Sequence, residues 1–110
     1  MVCLSTARLK DYGSEMSRQK ASPGYYSCFL DKYDVLTEVT STKRSGLGRF
    51  TFPEGRSNIL IDLGNGLTNE SGASIRIVNS SEVEGSRMVG NFCYDGNSER
   101  VVYFVARFSK

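Results

Sequence analysis

Polar and apolar residues alternate along much of this chain, with the two-residue period that is typical of β-strands. The clearest example is residues 25–30, in which aromatic and small polar residues succeed one another. Such runs recur at short intervals, and no stretch shows the period of a helix. The pattern predicts about seven strands, covering residues 25–30, 35–41, 47–52, 58–63, 73–79, 81–89 and 101–108.

The segments between these runs are rich in turn-forming residues. Residues 31–34 form a plausible hairpin connection, residues 43–46 form the next turn, and Pro53 ends the strand before it because proline cannot donate to a ladder. Short strands separated by glycine, asparagine, aspartate and serine favour antiparallel pairing. The sequence therefore predicts an all-β protein, an antiparallel β-sandwich.

Two of the predicted strands have special features. Residues 58–63 are almost continuously apolar, which predicts a strand buried on both faces and interrupted only by Asp62. The strand at residues 81–89 contains Gly85, which indicates a β-bulge.

The two ends of the chain differ. Residues 1–22 are polar and weakly patterned, which predicts an N-terminal arm or edge segment, whereas residues 23–110 are predicted to form the β-sandwich domain. The final strand ends without a turn or a cap. Because an exposed strand edge invites pairing, we expect the sandwich to be incomplete here and the chain to be part of a larger protein.

Composition and charge narrow the possible functions. Fourteen basic and 12 acidic side chains give a net charge of +2, which is too balanced for a nucleic-acid-binding surface. The chain has no histidine, which excludes His-based catalytic and metal sites. Three cysteines without a Cys-x-x-Cys pair indicate neither a zinc site nor a disulfide framework. No segment has the length of a membrane span, and no targeting signal is expected.

Candidate site residues are few. Five carboxylates are candidates for acid–base chemistry, namely Glu38, Asp62, Glu70, Glu82 and Glu84. Because no pattern pairs any two of them, no catalytic residue and no metal ligand is predicted. Most aromatic residues, Tyr103 among them, occur at strand periodicity and are expected in the core. Tyr33 and Tyr94 lie beside turn residues and are the candidates for substrate binding by stacking on a sugar.

Several separated motifs resemble, in order, the N-terminal domain of family 92 glycoside hydrolases. The first is Ala-Ser-Pro-Gly-Tyr-Tyr-Ser at residues 21–27. The others occupy residues 30–33, 37–42, 44–47, 49–53, 58–63, 83–85 and 102–105. The resemblance covers roughly residues 20–109. It is weaker upstream, where only residues 6–19 stand in place of a longer family segment with histidines, and at Gly48, where many relatives carry a histidine.

The resemblance implies a bacterial, secreted or periplasmic exo-α-mannosidase, an α-1,2-mannosidase among the possibilities, that is calcium-dependent and inverting. It implies a supersandwich-like N-terminal domain joined to a C-terminal (α/α) barrel domain that supplies both catalytic carboxylates and most calcium ligands. This chain would then be a non-catalytic portion, inactive alone and without its own cofactor. Its partners would be that barrel domain and mannose-containing glycans. The alternatives are a stand-alone carbohydrate-binding β-sandwich and a purely structural interaction module.

Overall fold

Seven antiparallel strands form two sheets in the computed structural model, which describes residues 12–64, 69–90 and 99–109. The all-β, antiparallel class predicted from the sequence is confirmed. The chain divides into two compact units, Met1–Ile59 and Leu60–Lys110, and each contains one sheet.

The first sheet is a four-stranded meander in the order β1-β2-β3-β4. Its strands are β1 (Met16–Ser22), β2 (Tyr25–Leu30), β3 (Val35–Ser41) and β4 (Gly46–Thr51). The predicted hairpin at residues 31–34 joins β2 to β3, where Leu30 pairs with Val35. The buried core of this unit includes Cys28 and Val35. Cys28 is a free, buried thiol that packs as a small apolar side chain.

The second sheet is a three-stranded meander in the order β5-β6-β7. Its strands are β5 (Asn69–Asn79), β6 (Glu82–Gly90) and β7 (Arg100–Arg107). Val83, on the central strand, is only 3% exposed and is the buried apolar side chain among the described residues of this unit.

Strand β1 is polar in sequence, yet it pairs with β2 through backbone hydrogen bonds. Its register shifts between Ser17 and Lys20, where Arg18 has a positive φ of 49°. The Arg18 guanidinium carbon lies 4.7 Å from the centroid of the Phe29 ring. This bulge turns a charged side chain over an aromatic face of the neighbouring strand, a favourable cation–π arrangement.

The prediction of a strand buried on both faces at residues 58–63 is wrong. These described residues belong to neither sheet, and Ile59 and Leu60 are 38% and 42% exposed. The Asp62 carboxylate accepts a hydrogen bond from the Gly64 backbone N–H at 2.7 Å, so it caps a local turn. Apolar character alone does not make a strand, because the backbone also needs a partner strand.

The prediction of a β-bulge at Gly85 is also wrong. Gly85 is in regular register with Ile75 on one side and Phe104 on the other. The pairing of β5 with β6 shifts register at two other places, between Ser71 and Ser74, where Gly72 has φ 62°, and between Ile77 and Asn79. Gly85 is required for a different reason, since the ring of Phe104 packs directly against it.

The β1–β2 turn gives a testable prediction. Pro23 and Gly24 are its two central residues, and Gly24 has φ 77°, as the third position of a type II turn requires. A Cβ there would meet no atom within 4 Å, so only backbone strain opposes a side chain. We expect Gly24→Ala to lower the free energy of unfolding by about 1 kcal/mol and Gly24→Asn by less, as measured by urea denaturation. Equal losses for both variants would contradict this explanation.

Candidate functional site

Three polar side chains of the first sheet form a hydrogen-bonded group, here called the Glu38 cluster, which consists of Tyr25, Glu38 and Arg49. Glu38 on β3 pairs directly with Arg49 on β4, so their side chains lie on the same face. Arg49 donates through Nε to Glu38 Oε2 at 2.6 Å and through a terminal nitrogen to Oε1 at 2.7 Å. The Tyr25 hydroxyl on β2 donates to the same Oε1 at 2.8 Å. The cluster therefore connects three strands.

The hydrogen bonds from Arg49, and after them the one from Tyr25, lower the pKa of Glu38 to about 2. In turn, the hydrogen bonds from Glu38 raise the pKa of Arg49. The Glu38 side chain is 14% exposed, whereas that of Arg49 is 74% exposed. Glu38 is consequently an ionised acceptor at neutral pH and is unsuited to donate a proton. The geometry favours a structural role for Glu38, as a hydrogen-bonded contact between neighbouring strands.

The lowered pKa of Glu38 predicts how stability depends on pH. Because the folded-state pKa lies below the ordinary value of 4.5, the stabilisation is fully present above about pH 4.5 and is lost as the pH falls towards 2. We expect wild-type protein to exceed Glu38→Gln in urea midpoint at pH 7, and the difference to shrink between pH 4.5 and 2. In an Arg49→Met background the pH dependence of this difference should weaken. A difference that is the same at pH 2 and pH 7 would count against this role.

Each of the other described carboxylates named from the sequence has a hydrogen-bond partner of its own. Glu82 is 2.5 Å from Arg107, its partner across β6 and β7. Glu84 accepts from Arg76, its partner across β5 and β6, at 2.7 Å. Asp62 caps its turn, and the side chain of Glu70 lies outside the described residues. Glu82 and Glu84 are therefore each engaged by an arginine, and Asp62 by a backbone N–H.

Tyr33 and Tyr94 were the sequence-based candidates for sugar binding. Tyr33 lies in the β2–β3 hairpin and is 40% exposed. Its hydroxyl donates to the Tyr12 carbonyl oxygen at 2.9 Å, and Lys32 Nζ is 5.3 Å from its ring centroid. A ring with its hydroxyl engaged and an ammonium nearby offers a sugar only part of its surface. Tyr94 lies outside the described residues.

The second sheet carries a concave surface that the sequence did not predict, here called the Tyr103 concavity. Its volume is about 510 Å³. Its middle row is Ile75, Gly85 and Phe104, which pair across the three strands. The side chains of Ile75 and Phe104 point to the opposite face from those of the two flanking rows, and Gly85 has no side chain. Six side chains from the flanking positions form the rim, namely Ser74, Arg76, Glu84, Ser86, Tyr103 and Val105.

Tyr103 is the aromatic member of this rim and is 78% exposed. The expectation that it packs in the core is wrong. Along β7 it shares a face with Val101 and Val105, both of which are also exposed, whereas Phe104 faces the other way against Gly85. The strand alternation was visible in the sequence, but which face would be covered was not.

Two features are absent from the described part of the chain. No described helix has the length and apolarity that a membrane crossing requires. No group of three or more acidic, cysteine or histidine side chains among the described residues could hold a metal ion.

The chain matches the family model of the glycosyl hydrolase family 92 N-terminal domain over residues 2–110. The protein therefore belongs to glycoside hydrolase family 92, and the matched region is the N-terminal domain. The resemblance noted in the sequence is confirmed. No curated protein sequence matches the chain.

Two solved structures of one α-mannosidase of this family, BT3965 from Bacteroides thetaiotaomicron, are similar to the chain. The first is 32% identical, with a TM-score of 0.64 over 88% of this chain and 13% of that chain. The second, a complex with mannoimidazole, is 30% identical, with a TM-score of 0.67 over all of this chain and 15% of that chain. The 110 residues thus span about one seventh of the length of that enzyme.

Proposed function

We propose that this chain is a non-catalytic portion of an inverting, calcium-dependent exo-α-mannosidase, in which it supports the catalytic (α/α) barrel domain. The observation that carries the proposal is the match of the whole chain to 15% of an α-mannosidase of the same family. The remainder of such an enzyme would supply the reacting groups. The role of this portion is positional.

The engaged carboxylates support a non-catalytic role. Inverting hydrolysis needs a protonated acid and a second carboxylate that activates water, about 6.5–9.5 Å apart. Glu38, with its pKa near 2, is a poor acid at neutral pH. Glu82 and Glu84 are each paired with an arginine on the neighbouring strand. Each of the three carboxylates is therefore engaged by an arginine on a neighbouring strand.

The same pairing does not fit a calcium site in this portion. Calcium takes six to eight oxygen ligands, with several carboxylates converging on one point. Here Glu38, Glu82 and Glu84 each face a guanidinium across a strand pair, so these carboxylates do not fit a calcium site. We propose that the ion is held by the barrel domain.

Hydrolysis of an aryl α-mannoside tests the proposal. The 110-residue chain and the full-length product of its gene are assayed side by side, with calcium and with a chelator. We expect hydrolysis by the full-length product alone, its loss on chelation, and release of the β-anomer of mannose as the first product, which nuclear magnetic resonance detects.

Three results would overturn parts of this proposal. Hydrolysis by the 110 residues alone would contradict the non-catalytic role. Release of the α-anomer would contradict inversion. A full-length product that binds mannose but hydrolyses no mannoside would favour a stand-alone carbohydrate-binding module instead.

A further inference from the structure

We draw no further inference here: the strongest candidate, the Tyr103 concavity on the second sheet, carries none, because the chain spans only 15% of the α-mannosidase to which it is similar and nothing in the structure shows what covers this face in the whole protein.

Discussion

Replacing Gly85 by alanine is expected to lower the free energy of unfolding by about 2–3 kcal/mol, the largest effect of any single change considered. A Cβ at this position would lie 2.5 Å from the Ser74 carbonyl oxygen and 2.7 Å from the Phe104 ring. The ring could rotate away, but the carbonyl belongs to the paired backbone of β5 and cannot move without disturbing the sheet. Urea denaturation followed by circular dichroism measures the loss.

Gly46→Ala is the matched control for Gly85→Ala, because Gly46 also lies in a strand but has its nearest atom, the Thr40 carbonyl oxygen, at 3.8 Å. We expect it to change the free energy of unfolding by less than about 0.5 kcal/mol. A double-mutant cycle with Phe104→Leu should recover only part of the cost, since the carbonyl clash remains. Equal stability of Gly85→Ala and Gly46→Ala would refute the steric explanation.

A threonine-to-valine exchange in β3 should have opposite effects at two positions. The Thr37 hydroxyl is buried and has no hydrogen-bond partner among the described residues. Removing a buried, unsatisfied hydroxyl should raise the free energy of unfolding by about 1 kcal/mol. The Thr40 hydroxyl donates to the Gly24 carbonyl oxygen at 2.5 Å, so Thr40→Val should lower the free energy of unfolding by about 1 kcal/mol.

The two exchanges control for each other, because both replace one β-branched residue by another in the same strand. The prediction is therefore a difference of about 2 kcal/mol between the variants in parallel urea titrations. If Thr37→Val destabilised as much as Thr40→Val, the Thr37 hydroxyl would have a partner that the described residues do not include. That result would contradict the explanation for Thr37 but would not affect the assigned strand pairing of β3.

Local signals in the sequence were sufficient for most strands. The bounds of β2 and β3 were predicted exactly, and those of β4, β6 and β7 to within one residue at each end. These strands alternate clearly and are bounded by turn residues, and both signals depend on neighbours in the sequence. The family resemblance depends on the same local motifs, which is why the comparison with known proteins confirmed it.

Two segments show what the local pattern leaves open. Residues 1–22 were expected to be an arm or an edge segment, and β1 (Met16–Ser22) lies at the edge of the first sheet, whereas residues 58–63 were predicted to be a buried strand and are not one. A strand forms where backbone N–H and C=O groups find a partner strand, and this partner is distant in sequence. A polar segment such as β1 can pair at the edge of a sheet, and an apolar segment without a partner remains irregular.

Strand register also determined which residues lie together in the candidate sites. The sequence by itself determined the all-β class, most strand bounds and the family, because these depend on composition and short-range order. Only the tertiary structure placed Arg49 opposite Glu38, Phe104 against Gly85, and Tyr103 on an exposed face. A shift of one residue in strand pairing would exchange the two faces of every strand. Contacts between strands therefore depend on which distant segments pair and in which register, and a single sequence does not show this.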